Sequence, residues 1–215
     1  MGSSNEILDR GDTNSIKLNC CNNWMTQIVQ YDSYGDITYY FRLQRNLFNI
    51  EALIVYDKNE KEIGYIERTG NMNKARYKLF DENKQLIKEV EKNEICCSIN
   101  FTFYNADKDI ESIVKIGQGC CKDTIDEYDK YKNRTNFAVG KRTCCDVIYY
   151  ENDSYGNPLF KIQFILACSG KFKLFDNNNM EINLENKTIF NDSFTKIQQA
   201  LILFLFFEKN KRGSG

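Results

Sequence analysis

Eight of the nine cysteines in this chain stand in adjacent pairs, and a thiol can bind zinc, form a disulfide or carry an acyl chain. The four pairs are Cys20 and Cys21, Cys96 and Cys97, Cys120 and Cys121, and Cys144 and Cys145. Zinc sites usually space their thiolates by two to four residues, whereas neighbours on a strand point to opposite faces. Adjacent pairs therefore fit zinc badly. Two interpretations stay open: small half-buried side chains, or S-acylation beside a membrane.

Other catalytic chemistry finds little support in the sequence. The chain has no histidine, which removes the usual general base of hydrolases and the commonest metal ligand. We find no phosphate loop of the GxxxxGK type and no nucleophile beside a base. Its 29 basic and 30 acidic side chains nearly cancel, which gives no argument for nucleic acid. We expect a non-enzymatic protein that does not bind nucleic acid.

The elements that position these residues follow one recurring local pattern. A short run of Val, Ile, Leu, Tyr or Phe meets a polar turn headed by Asp or Asn and then resumes, as in LIVYDKNEKEIGYIER and YKLFDENKQLIKEV. Asp or Asn at the head of a turn accepts a hydrogen bond from the backbone two residues on. The flanking runs alternate apolar and polar residues, as half-buried strands do. Six or seven such hairpins predict about twelve antiparallel strands.

The stretch QQALILFLFFE near the C-terminus is apolar on every face. Its uninterrupted apolar run is too short to cross a bilayer, which takes about 20 residues, so we predict a buried core helix near 192–208. The residues expected to be buried are Leu201, Leu203, Phe204, Leu205 and Phe207. Closing twelve strands into a barrel hides their edges but leaves an interior too wide for strand side chains alone. We therefore predict an all-β fold, a closed antiparallel barrel threaded by this helix.

The predicted domain organisation is a single unit. Residues 1–19 read as a flexible arm, residues 20–210 as the barrel domain and residues 211–215 as a tail. The N-terminal residues contain no apolar segment of the kind found in secretory signals. We therefore expect an intracellular, cytoplasmic protein that is not secreted and that lies at the periphery of a membrane.

A closed barrel around a C-terminal hydrophobic helix resembles the tubby C-terminal-like fold, which tubby proteins, phospholipid scramblases and LURP-one-related proteins share. The local resemblance is to scramblases, whose last helix also closes with aromatic residues and a glutamate, like LFLFFE here. The segment CCDVIYYENDSYGNPLFKI is similar to their cysteine pair, strand, polar turn and returning strand. The resemblance covers roughly residues 25–208. It implies a scramblase-like protein that binds or moves phospholipid. The alternative is a structural or adaptor subunit of a larger protein assembly.

The same resemblance implies a calcium site just before the last helix. The matching stretch begins at Asp176, with Asn178 at the third position of the loop. Met180 stands where an oxygen ligand is needed, Glu181 where glycine is needed, and Lys187 where a bidentate glutamate is needed. We therefore expect calcium binding to be weak or absent, and an Asn-rich turn is the alternative interpretation.

The resemblance to tubby domains also implies a headgroup site, because those domains bind phosphoinositides through basic surface residues. Anionic phospholipid on a membrane surface is the expected ligand. The candidate residues are Lys130, Lys132, Arg134, Lys141 and Arg142. The alternative interpretation is an ordinary solvated face.

Overall fold

A computed structural model of the chain describes residues 15–19, 27–45, 51–71, 73–96, 98–118, 122–143, 146–165 and 171–207. Within these ranges lie fourteen strands and one helix. The strands are β1 (Ser15–Asn19), β2 (Gln27–Tyr31), β3 (Ile37–Arg45), β4 (Glu51–Asp57), β5 (Glu62–Gly70), β6 (Lys74–Asp81), β7 (Leu86–Ile95), β8 (Ser98–Asn105), β9 (Ile110–Gln118), β10 (Lys122–Asp129), β11 (Arg134–Arg142), β12 (Asp146–Asp153), β13 (Pro158–Ile165) and β14 (Lys171–Asp176). The helix is α1 (Lys196–Phe207).

The strands form one closed antiparallel barrel in which each strand pairs with its neighbours in sequence. Closure comes from β1, which pairs with β14 on one side and β2 on the other. The predicted closed barrel is confirmed, with fourteen strands in place of about twelve. Six hairpins supply β2 to β13, and β14 and β1 complete the circle. Strand β1 lies within residues 1–19, which the sequence predicts to be a flexible arm. Residues 15–19 instead form a strand, because β14 and β2 pair with its two edges.

The stretch FKLFDNNNMEINL has the same Asp-headed pattern and predicts one more hairpin, but only its first strand, β14, forms. Only an isolated bridge joins Phe175 to Glu181, and the chain then turns inward. Leu184 is fully buried, and the side-chain Nε2 of Gln30 donates hydrogen bonds to the carbonyl oxygens of Leu184 and Lys187 at 2.6 and 2.9 Å. Residues 181–195 therefore lead into the barrel and to the start of α1.

Helix α1 begins with a capping box, the reciprocal hydrogen bonding that satisfies backbone groups at a helix start. The amide of Gln198 donates to Oγ1 of Thr195 at 3.2 Å, and the amide of Thr195 donates to Oε1 of Gln198 at 3.3 Å. The helix therefore starts four residues later than the predicted position 192.

The helix fills the barrel as predicted. Leu201, Leu203, Leu205 and Phe207 are buried, whereas Phe204 is only partly buried and packs against the core. Aromatic contacts tie its last turn to different walls, with ring centroids 5.0 Å apart for Phe41 and Phe206 and 5.1 Å apart for Tyr77 and Phe207. Within the described ranges, no helix is both long enough and apolar enough to cross a membrane.

The hairpins share one turn geometry, which recurs seven times at the same end of the barrel. In the copy at 57–61, Oδ1 of Asp57 accepts the amides of Asn59 and Lys61 at 2.8 and 2.9 Å. The turns are turn 1 (32–36), turn 2 (57–61), turn 3 (81–85), turn 4 (105–109), turn 5 (129–133), turn 6 (153–157) and turn 7 (176–180). The fourth residue of each turn has a φ between 61° and 91°, in the left-handed region. The heads recur every 23 to 25 residues.

Candidate functional site

The seven turns form a ring around one end of the barrel. Because the strands run in sequence order around the barrel, turns 1 to 6 follow one another around this end. Turn 7 neighbours turn 1 across β1, which closes the ring. Strands lie about 4.8 Å apart, so neighbouring turns stand about 10 Å apart. A partner that meets this end of the barrel meets several turns at once.

Four consecutive turns in the ring present large exposed side chains. Tyr131 of turn 5 is 74% exposed, Tyr155 of turn 6 is 91%, Met180 of turn 7 is 67% and Tyr34 of turn 1 is 86%. We call this surface the aromatic arc, and it comprises residues 130–133, 154–157, 177–180 and 33–36. Three of these sixteen residues are charged, and most of the others are Tyr, Ser, Gly or Asn. The same residue types dominate antibody binding loops.

The opposite side of the ring has a different composition. We call it the charged arc, residues 58–61, 82–85 and 106–109, and eight of its twelve residues are charged. At the third position of the turn, where the aromatic arc has three tyrosines, turns 2, 3 and 4 have Asn59, Asn83 and Asp107. The backbone is the same on both sides, so the difference lies in the side chains that the turns display.

Asp176 and Asn178, the calcium candidates, lie in turn 7. Oδ1 of Asp176 accepts the amides of Asn178 and Met180 at 2.9 and 2.8 Å, the same two bonds that the head residue makes in turn 2. Asn105 heads turn 4 with an amide side chain, and its Oδ1 accepts the amide of Asp109 at 2.8 Å. The described residues contain no group of three or more acidic or cysteine side chains placed to hold a metal ion. This geometry assigns Asp176 the role of a turn residue.

The five basic candidates do not form one patch. Lys130, Lys132 and Arg134 lie at turn 5, whereas Lys141 and Arg142 lie at the far end of β11. Eight residue steps along a strand separate those ends by about 26 Å.

Both arginines in this set already contact protein groups. Nη1 of Arg134 lies 3.5 Å from Oδ1 of Asp126, and its guanidinium stands over the ring of Phe137 at 4.3 Å. Arg142 binds both oxygens of the buried Asp123, with Nε to Oδ2 at 3.0 Å and Nη2 to Oδ1 at 3.1 Å. The hydroxyl of Tyr149 donates to Oδ2 of Asp123 at 3.3 Å. Burial, together with the charge of Asp123, raises the pKa of Tyr149. Arg142 is thus part of the barrel structure.

A group of buried polar side chains lies inside the barrel, around the start of α1. Nε2 of Gln198 donates to Oε2 of Glu151 at 3.0 Å, while Oε1 of Glu151 is buried with no hydrogen-bond partner among the described residues. Nζ of Lys88 donates to Oε1 of Gln199 at 3.2 Å and to Oδ1 of Asp192 at 3.1 Å. These contacts hold the first turn of the helix to β7 and β12.

Burial governs the ionisation of this internal group. It raises the pKa of the Glu151 carboxyl to about 7, and the neighbouring charge of Glu127 adds to the rise. The pKa of Glu127 is also raised by burial, although Nδ2 of Asn136 donates to its Oε2 at 3.0 Å. Burial lowers the pKa of Lys88 in the same region. Glu151 and Lys88 bond side chains of α1, whereas Glu127 bonds Asn136 on β11. Glu151 and Lys88 therefore position the helix.

The cysteines proposed for acylation lie mostly outside the described residues. Cys20, Cys21, Cys97, Cys120, Cys121, Cys144 and Cys145 belong to this set. Cys96 is described, and it is exposed with a φ of 52° between β7 and β8, at the end opposite the turns. Its exposure is compatible with acylation.

The sequence carried a signal for the aromatic arc that motif reasoning missed. The segments DSYGD at turn 1 and DSYGN at turn 6 are nearly identical, and DKYKN at turn 5 has tyrosine at the same place. Alignment of the chain on its own 24-residue spacing would have placed these tyrosines in one register. No protein-family model and no curated protein matches the chain.

Proposed function

We propose that the chain is a non-enzymatic adaptor, a rigid barrel that joins a larger protein assembly through its exposed turns. The observation that carries this proposal is the aromatic arc, which displays three tyrosines and a methionine at 67% exposure or more. Tyr buries a large area at little conformational cost and is enriched where proteins meet. Exposed apolar side chains that are grouped together, as on these four neighbouring turns, mark interaction surfaces.

The interior of the barrel supports the same function. Barrels with wide interiors often enclose a ligand or channel, but here α1 occupies that space and packs against the walls. Two internal ionisable groups hold the helix, since Glu151 bonds Gln198 and Lys88 bonds Gln199. Recognition by this barrel therefore takes place on its outside.

A relation to scramblases and tubby-like proteins remains part of the proposal. The closed barrel around a C-terminal hydrophobic helix supports it, and the fourteen strands, two more than expected, weigh against it. The separation of Lys130 from Lys141 along β11 weakens the headgroup site that this relation implied. We therefore place the adaptor role ahead of lipid movement, and we keep a cytoplasmic location as a proposal.

Binding to anionic phospholipid is the second candidate, and turn 5 is the observation that favours it. Lys130, Tyr131 and Lys132 are all exposed in this turn, and a basic and aromatic tip suits a headgroup region. Acylation of exposed Cys96 would add to membrane affinity. The carboxylate of Asp129 at the head of the same turn opposes the attraction.

The test compares the size of the protein in extracts of its own cells with that of the purified 25.2 kDa chain. We expect the native protein to sediment as part of a larger particle that survives detergent. In parallel, the purified protein is sedimented with anionic vesicles. Recovery of the native protein as a free monomer, together with vesicle binding lost in Lys130→Glu/Lys132→Glu, would replace the adaptor function with the lipid function.

A further inference from the structure

We propose that the aromatic arc is the contact surface for a second copy of this chain, so that two copies meet arc to arc in a symmetric dimer, with the charged arcs outside the contact. This inference rests on the adaptor function and names the first partner in the assembly. Three properties of the arc support it: its apolar area, its charge pattern and the way both fit a two-fold axis.

The area of the arc is suited to a dimer. A tyrosine contributes roughly 150 Å² or more when buried in a contact, and Tyr34, Tyr131 and Tyr155 are at least 74% exposed. The three rings therefore supply roughly half of the 800 Å² or so that each partner buries in a standard interface. Met180 and the short Ser, Gly and Asn residues of the arc supply further contact area.

The charges of the arc lie at its two ends. Lys130 and Lys132 belong to turn 5, which begins the arc, and Asp36 belongs to turn 1, which ends it. The tips of turns 6 and 7 between them, residues 154–157 and 177–180, have no charged side chain. At the exposed tips, one end of the arc is thus positive and the other end is negative. The carboxylates of the middle, Asp153 and Asp176, are partly buried turn heads whose Oδ1 atoms accept the amides of their own turns.

A surface of this kind is complementary to itself. A symmetric dimer uses the same patch on both subunits, so that residue i meets residue j and j meets i. A two-fold axis that passes between turns 6 and 7 places turn 5 of one copy opposite turn 1 of the other. Lys130 and Lys132 then face Asp36 of the second copy, at both ends of the interface. A two-fold axis that passes through turn 5 would instead bring the lysines of one copy against the lysines of the other, and this repulsion would lower the affinity.

Turn 2 provides variants that the turn geometry accepts. Its sequence is Asp, Lys, Asn, Glu, Lys, so its third, fourth and fifth positions are Asn59, Glu60 and Lys61. The substitutions Tyr155→Asn, Lys132→Glu and Asp36→Lys each introduce the residue that turn 2 already has at that position. Glu60 has a φ of 61°, close to the 67° of Lys132, so the exchange adds no backbone strain. These variants should fold like the parent chain.

The experiment is analytical ultracentrifugation of the purified full chain under reducing conditions, over a wide range of concentration. We expect a reversible dimer, and we expect Tyr34→Asn/Tyr155→Asn to raise its dissociation constant by at least about tenfold. Lys130→Glu/Lys132→Glu should also weaken the dimer, and adding Asp36→Lys, which then faces two glutamates, should restore it; Glu82 already stands at the position of Lys130 in turn 3. The matched control Lys108→Glu, at the position of Lys132 in turn 4 of the charged arc, should have no effect. Thermal unfolding of each variant checks that the fold is kept.

A monomer at every concentration would overturn the dimer, and so would a dimer that is indifferent to the tyrosine and charge variants. If the purified chain is monomeric but the native protein sediments in a larger particle, this inference fails while the adaptor function stands. If neither the purified nor the native protein associates, both fail.

Discussion

Gln198 of α1 donates a hydrogen bond from Nε2 to Oε2 of Glu151 on β12, at 3.0 Å in the interior of the barrel. The same glutamine closes the capping box with Thr195, so the start of the helix and the wall of the barrel share one side chain. Burial raises the pKa of the Glu151 carboxyl to about 7, so the stability of the folded protein depends on pH near neutrality.

The first prediction concerns that dependence. The folded-state pKa of Glu151 lies above its ordinary value of 4.5, so the folded protein holds this proton more tightly than the unfolded chain. Stability from this group is present below pH 4.5 and is lost as pH rises through about 7, by up to about 3 kcal/mol. Glu151→Gln should remove most of this loss, as urea unfolding at pH 5 and pH 8 would measure.

Asp153→Asn is the control for that measurement, because hydrogen bonds from Asn157 lower the pKa of Asp153 and it titrates below this range. Its unfolding free energy should vary with pH between these values as in the parent chain. An equally steep dependence in Glu151→Gln would show that Glu151 is not its source.

The second prediction separates two neighbouring positions in α1. Leu203 has no exposed surface, so Leu203→Lys buries an unpaired charge and should cost several kcal/mol of a total of about 5–15. Phe204 is only partly buried, so Phe204→Lys should be less damaging. Chemical denaturation followed by circular dichroism measures both. A Leu203→Lys protein as stable as Phe204→Lys would contradict the orientation of the helix.

The third prediction tests the turns. Gly156 has a φ of 91°, and a Cβ at this position would meet no atom within 4 Å. Gly156→Ala therefore changes only the backbone preference and should lower the free energy of unfolding by about 1 kcal/mol. Gly156→Asn should cost less, since Asn tolerates the left-handed region and Asn179 occupies it in turn 7. Equal stability of all three proteins in urea would count against this turn geometry.

The fourth prediction concerns calcium. Because Oδ1 of Asp176 accepts two backbone amides, an asparagine can replace it, as Asn105 does in turn 4. Titration calorimetry of the full chain with calcium should show no saturable heat, and Asp176→Asn should be indistinguishable from the parent. A saturable heat that disappears in Asp176→Asn but persists in Asp153→Asn would restore the calcium site.

Much of the architecture could be predicted because the local sequence patterns favour the same structures that the complete fold contains. The Asp-headed turns and alternating strands predicted the barrel, and the apolar run ending at Phe207 predicted its core helix. Closure by β1 was not predictable, since residues 15–19 carry no turn signal and gain their order from pairing with β2 and β14. The short strand exists because two edges are available to it.

The candidate sites were harder to predict. The basic residues from Lys130 to Arg142 are close in sequence, but the extended conformation of β11 carries its two ends far apart. The tyrosines of the aromatic arc are far apart in sequence, from Tyr34 to Tyr155, and only the order of strands brings their turns together. Proximity along the chain misled in the first case and gave no help in the second.

The central claim is that α1 is a permanent part of the barrel, which leaves the outer surface to carry the function. Native-state hydrogen exchange of the amides from Gln199 to Phe207, measured at increasing low concentrations of denaturant, tests it most directly. We predict that these amides exchange only through global unfolding. Their free energy of exchange should equal that of the amides in strands β5 to β8. Exchange of α1 at a much lower free energy, while those strands stay protected, would show that the helix leaves the barrel and would contradict the account.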